Sequence, residues 1–325
     1  MTTRSTPRSR AALTATSATA VGIGVLTRRL AGRKVSHLSG YRSSEGKRRY
    51  LGAYEAVLAR WPVAYQELTV PTSFGKTHIV ASGEPTAPPL VLLHATGTSS
   101  TGWLRNVAPL SNGHRLFAVD IIGEVGRSEQ TRLLRDRRDC VQWLSEVLDG
   151  VSLRRTDLAG WSFGGWTTLA FTIDEPDRVN KTVLLAPFGS LAPYAPTVLL
   201  FLKLGPYLPM GPPGGLALRM MAPGYPFDEN FARQFILGGR YFKSADPRAS
   251  VFPKPFRDTE LSSIKRPVLL LVGERESTFD PRRAITQAQR SIPDVQTKLV
   301  PDVGHMIAME AADLVNASTL AFLED

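Results

Sequence analysis

A serine set between two glycines, Gly160-Trp161-Ser162-Phe163-Gly164, is the stretch of this chain with the clearest capacity for chemistry. A hydroxyl becomes a useful nucleophile when a base takes its proton and nearby donors meet the charge that develops on the attacked oxygen. Residues 156–159, with Asp157 as their only charge, read as a strand, and residues 166–171 as the first turns of a helix. A serine on a strand-to-helix turn sits in strained backbone that needs small neighbours, which Gly160 and Gly164 supply. Such a turn lifts the Ser162 hydroxyl above the sheet. The following helix N-terminus then aims the Phe163 N–H at an oxygen bearing developing charge.

The base follows from counting. The chain has five histidines, His37, His78, His94, His114 and His305, and only His305 comes after the serine. In the chain order that goes with this turn, serine is followed by an acid and then by histidine. His305 closes residues 297–305, a strand-like run that ends in a Gly-His turn before a helix. The orienting acid is expected after the apolar run 267–273, where it can accept the second imidazole N–H and steady the imidazolium. Three carboxylates compete there: Glu274, Glu276 and Asp280. Glu276 is favoured as the third residue after the strand-ending Gly273; Asp280 is its rival and Glu274 ranks last.

These pieces together resemble an α/β-hydrolase fold serine hydrolase, and among that superfamily the bacterial carboxylesterases. The matching stretches are Val91-Leu-Leu-His94 with Thr96 and Gly97, Asp120-Ile-Ile-Gly123-Glu-Val-Gly126-Arg-Ser128, the serine turn, Gly273-Glu-Arg-Glu276 and Gly304-His305. Their order is more specific than any one of them, and they span residues 65–325. The resemblance implies a mostly parallel sheet flanked by helices, with a largely helical cap insertion at about residues 187–264. It also implies an oxyanion hole made by the N–H groups of Phe163 and Thr96. Two positions depart from the usual pattern: Ala95 follows His94 where glycine is common, and the acid position holds glutamate where aspartate is commoner.

The elements that must position these groups alternate as expected for an α/β protein. A helix is expected over residues 45–58 and a hairpin over residues 66–70 and 77–82, followed by apolar strands at 90–94, 115–120, 181–186 and 267–273. An amphipathic helix is expected over 135–153 and contains the single cysteine, Cys140, which fits burial rather than a disulfide. His94 reads as a loop-shaping hydrogen-bonder rather than a second base. Residues 187–227 hold only two charges, Lys203 and Arg219, so they pack on the body, line an apolar pocket, or both. Within them, residues 205–215 are too rich in Gly and Pro for a continuous helix and are the expected mobile part of the cap.

The formal charge of +10 would suggest a polyanionic partner were it not so localised. Residues 1–50 contain eleven Lys and Arg and one acid, Glu45; the remainder carries 28 basic and 28 acidic residues. A neutral body argues against nucleic-acid binding by the catalytic domain. Residues 1–44 read as a disordered basic arm that leaves open weak contact with an acidic membrane surface. Its uncharged run, residues 11–27, is short and threonine-rich for a membrane span or a secretory signal. A cytoplasmic protein is therefore expected.

No cofactor or metal is expected, since histidines and carboxylates do not cluster at ligand spacing. Ser162 also argues against dehalogenase or epoxide hydrolase chemistry, which would place a carboxylate at that turn. The reading is a serine hydrolase of carboxylic esters with an apolar acyl or aryl part. The alternatives are the same triad acting on a C–C, thioester or lactone bond, and a non-catalytic binding protein of the same fold.

Overall fold

The computed structural model describes residues 38–196, 198, 213–246 and 249–325. Nine strands form one sheet in the order β11 (Val295–Val300), β10 (Val268–Gly273), β8 (Val179–Leu185), β7 (Thr156–Trp161), β4 (Pro89–Leu93), β5 (Arg115–Val119), β3 (Gly75–Ser82), β2 (Tyr65–Thr72), with a short β6 (Glu129–Gln130) also paired to β3. The antiparallel end is the hairpin β2 and β3, registered Thr72 to Gly75 around Ser73 and Phe74. Gly75 takes φ +133°, a conformation that glycine adopts at little cost. The strands β4, β5, β7, β8, β10 and β11 run parallel.

The central strands are apolar almost throughout because helices cover both faces. Every residue of β7 and β10 is buried, whereas β11, at the sheet edge, is largely half-exposed. Registers of Leu93 to Gly160, Trp161 to Leu185, Leu185 to Leu271 and Gly273 to Val300 bring the C-terminal ends of these strands level. The segments that carry His94, Ser162, Glu276 and His305 therefore all leave the sheet along one edge, where open α/β sheets hold ligands.

The helix Ser44–Leu58 is capped by Ser43, whose Oγ accepts the Gly46 N–H at 3.0 Å, and buries Tyr50, Tyr54, Val57 and Leu58. The elbow helix, Phe163–Asp174, starts three residues earlier than residue 166, directly after Ser162. In the insertion, the described elements are mainly helical: Pro213–Met221, Glu229–Tyr241 and Asp258–Leu261, with the two-residue strand β9 (Phe242–Lys243). Most of the Gly/Pro-rich run 205–215 lies outside the described residues; its last part, Pro213 onward, opens a helix. Cys140 is buried. Among the described residues no helix is long and apolar enough to cross a membrane.

The extent of the arm needs correction. Residues 1–37 lie outside the described residues, but residues 38–43 are part of the body. The strand β1 (Gly40–Tyr41) pairs antiparallel with β9. The Tyr41 hydroxyl donates to Gly126 O at 2.8 Å, and its ring packs on Tyr50 and Phe242. Ser39 donates from both its N–H and its hydroxyl to Gln130 Oε1. Net charge registers only the basic residues of this segment, not the aromatic and backbone groups that anchor it.

Glycine at two positions separates steric need from permissiveness. A Cβ on Gly164 would stand against the Leu93 and His94 carbonyls, whereas one on Gly52, exposed in the helix Ser44–Leu58, would meet nothing within 4 Å. Gly164→Ala is expected to destabilise by about 1–3 kcal/mol or more, and Gly52→Ala to stabilise by about 0.5–1 kcal/mol. Urea unfolding of the two variants checks this; equal midpoints would mean that the elbow helix and β4 are not in backbone contact.

Candidate active site

Ser162 has φ +57° and ψ −117°, a backbone that side-chain-bearing residues rarely adopt. Strain of that kind costs about 1–3 kcal/mol and persists only where the surroundings over-determine it. Here the Ser162 N–H donates to Leu185 O at 2.9 Å, and its carbonyl accepts from Trp166 N–H and Phe188 N–H at 3.0 and 3.2 Å. Gly160 and Gly164 are small for a reason: a Cβ on Gly160 would meet the Gly164 carbonyl and Thr168 Oγ1. As the first residue of its helix, Phe163 carries an N–H with no intrahelical acceptor.

The Ser162 hydroxyl donates to His305 Nε2 at 2.8 Å, and His305 Nδ1–H donates to Glu276 Oε2 at 2.7 Å. The other carboxylate oxygen of Glu276 accepts the Thr278 N–H at 2.7 Å. That carboxylate is fully enclosed, so its interaction with the imidazole is unscreened by water. The three competing acids separate cleanly. Asp280 is exposed and caps the helix Pro281–Ser291 by accepting from the Arg282 and Arg283 N–H groups. Glu274 is exposed and pairs with Arg282 at 3.0 Å.

His305 is also held by its backbone. Its N–H donates to Met221 O at 2.7 Å, at the end of the cap helix Pro213–Met221, and its carbonyl accepts from Trp161 Nε1 at 2.9 Å. The preceding Gly304 N–H donates to Glu310 Oε2 at 3.0 Å. Burial pushes the Glu310 carboxyl above its ordinary range. None of Trp161, Met221, Thr278 or Glu310 is singled out in the sequence. Trp161 and Glu310 stand near Ser162 and His305 in the chain, yet their partners are backbone groups that no motif specifies.

The loop after β4 follows His94-Ala95-Thr96-Gly97. His94 is fully buried and its ring does not hydrogen-bond to Ser162; its Nδ1–H donates to Ala95 O at 2.8 Å and its Nε2 accepts the Ile121 N–H at 2.9 Å. Burial lowers its pKa, which suits a neutral ring in this tautomer. The Ala95 carbonyl also accepts from the Thr98 hydroxyl at 2.8 Å, and Gly97 takes φ +77°. Thr96 is exposed toward a cavity of about 620 Å³ that also reaches Ser162, Phe163 and His305. Its wall is largely apolar, with Leu134, Phe188, Met220, Met221, Val251 and Phe252, and with Glu124 as a carboxylate on one side.

The model of the alpha/beta hydrolase family matches residues 90–318. An uncharacterized carboxylesterase, nap, of Bacillus subtilis (strain 168) is 34% identical over 282 residues, which are 84% of this chain and 92% of that protein. The carboxylesterase YbfK of the same strain is 34% identical over 85% of this chain and 93% of that protein. The crystal structure of naproxen esterase (carboxylesterase NP) from Bacillus subtilis superposes with a TM-score of 0.82 at 34% identity, covering 87% of this chain and 99% of that one.

The separation of Glu276 from Asp280 predicts unequal substitutions. Glu276→Gln removes the charge facing the imidazole and is expected to lower kcat about 10³- to 10⁴-fold. Asp280→Asn keeps a good helix cap, so ester turnover and stability should stay within about twofold of the parent. Steady-state kinetics on one chromogenic ester decides it, and the reverse ranking would assign the acid's role to Asp280.

Proposed function

The chain is an ester hydrolase of the alpha/beta hydrolase family, and we propose that it cleaves carboxylic esters with an apolar acyl or aryl part through an acyl-enzyme on Ser162. The observation that carries this reading is the continuous hydrogen-bonded chain from Ser162 Oγ through both imidazole nitrogens to the enclosed Glu276 carboxylate. In the proposed cycle Ser162 Oγ attacks the ester carbonyl while its proton passes to His305 Nε2. Charge on the former carbonyl oxygen is met by the Phe163 and Thr96 N–H groups, the first lying at a helix N-terminus. His305 then gives the proton to the leaving alcohol. A water, activated by the same imidazole, cleaves the acyl-enzyme. Glu276 holds the ring orientation and offsets the imidazolium charge throughout.

The apolar wall of the cavity supports an apolar acyl or aryl group beside the carbonyl. The carboxylesterase relatives support an ester over the C–C, thioester or lactone bonds that the same triad could address. The intact serine–imidazole–carboxylate chain speaks against a non-catalytic binding protein on this fold.

If the three side chains act as one unit, single removals should be grossly non-additive. Ser162→Ala and His305→Ala are each expected to lower kcat by about 10⁴- to 10⁶-fold, and the double variant little further. Near-parental turnover by purified Ser162→Ala would end this reading.

Crowding is expected on the alcohol side of the site. Side chains at Ala95 and Thr96 both border the cavity beside the serine, where glycines would leave room. A crowded tertiary alcohol would push the carbonyl off the Thr96 N–H, a donor worth roughly 3 kcal/mol when well aimed. Esters of primary alcohols and phenols should therefore turn over well and tertiary-alcohol esters very poorly. The pair n-butyl and tert-butyl acetate, corrected for intrinsic reactivity, measures the difference; comparable rates would show an open loop.

A further inference from the structure

Glu124 stands in the same cavity as Ser162 and takes no part in the cycle above. Its carboxylate Oε2 accepts the Gly97 N–H at 3.1 Å, and the Thr96 side chain also hydrogen-bonds to this carboxylate. Among the described residues Glu124 forms no ion pair. A carboxylate half-buried in a largely apolar cavity without a cationic partner is stabilised by hydrogen bonds, and the loop supplies two donors for it. Burial raises the pKa of the carboxyl to about 7, with the bonds from Gly97 and Thr96 opposing that rise.

The turn that carries Glu124 grips the loop after β4 at three places. The Ser100 N–H donates to Asp120 Oδ1 at 2.8 Å, the Ile121 N–H to His94 Nε2 at 2.9 Å, and the Gly97 N–H to Glu124 Oε2. The first two hold the loop's flanks. Only the third acts on the Thr96–Gly97 peptide, at a glycine held in the left-handed region.

We propose that Glu124 is the positioning residue of the oxyanion loop: by holding the Gly97 N–H and the Thr96 side chain it fixes Thr96 between them, and through Thr96 the Ala95–Thr96 peptide whose N–H is aimed at the reacting carbonyl oxygen. The proposal rests on the ester-hydrolase reading and adds a residue to it. Its consequence is selective: an N–H aimed by Glu124 matters most when the oxygen bears charge, so Glu124 acts on the transition state and little on ground-state binding.

Three variants and two ligands test this. Glu124→Leu removes the acceptor; Glu124→Asp keeps the charge but draws it back by one methylene; Glu124→Gln keeps one acceptor oxygen in place. Each is assayed per active site, counted by an organophosphonate titrant, with unfolding midpoints recorded. The ligands are a trifluoromethyl ketone and the acid product. The ketone forms a bond from Ser162 Oγ to its carbonyl carbon, passes the serine proton to His305 Nε2 and leaves an oxyanion on the former carbonyl oxygen. For Glu124→Leu and Glu124→Asp, kcat should fall about 10²-fold with KM within about threefold. The affinity of the ketone should fall by a similar factor while that of the acid product is unchanged. Glu124→Gln should lose markedly less than Glu124→Asp. A fall in unfolding midpoint with kcat per site and ketone affinity retained would overturn the proposal, as would equal weakening of both ligands. Glu124→Asp provides the test if Glu124→Leu does not fold. The ester-hydrolase reading fails by a different measurement, turnover in Ser162→Ala.

Discussion

The structure depends on a backbone-to-backbone contact between the elbow helix and the strand beside it. Gly164 lies against the carbonyls of Leu93 and His94, and Gly160 against the carbonyl of Gly164 and the hydroxyl of Thr168. With side chains at either position the helix would have to move away from the sheet. Ser162 would then lose the neighbours that enforce its φ of +57°. The same contact sets the spacing between the Phe163 N–H and the loop after β4. One close approach thus fixes both the nucleophile and the surroundings of the oxygen it would attack.

Around this contact the polar groups of His305 each meet a specific partner. The His305 carbonyl is met by Trp161, its N–H by Met221, and its ring by Ser162 and Glu276. Because Met221 ends a helix of the cap insertion, the cap helps hold the imidazole in place as well as walling the pocket. Buried carboxylates recur here with different settings. Burial tends to raise the pKa of Asp120, yet its hydrogen bond to His78 and the charge of that imidazole hold it below the ordinary range. For Glu124 and Glu310 burial outweighs the groups that face them, and both sit above theirs. The difference lies in whether the facing groups outweigh the cost of burial.

Much of this was legible in the sequence because the informative residues sit at strand ends. Gly160, Ser162 and Gly164 betray a turn that only small neighbours allow, and His305 is the sole histidine in the right order. Apolar runs marked the parallel strands to within a residue or two. Less was legible where a residue's partner is a backbone group far away in the chain. Nothing in the type or spacing of Trp161, Met221 or Glu310 says which carbonyl or N–H it will meet. Spacing alone ranked Glu276 above Asp280 but could not remove Asp280, whose capping of the next helix depends on where that helix begins. Residues 38–43 were hidden differently, because a count of charge is blind to the aromatic ring of Tyr41 and to strand pairing.

The central claim is that Ser162, activated by His305 against Glu276, forms a covalent intermediate. The most direct measurement is stoichiometric labelling with a p-nitrophenyl alkylphosphonate, following nitrophenolate release, loss of ester turnover and the site of the adduct by peptide mass spectrometry. One equivalent should be released per chain, with the phosphonate on Ser162 and turnover lost in proportion; labelling should be strongly slowed in His305→Ala. Full labelling at another residue, or ester turnover that survives complete modification of Ser162, would contradict it.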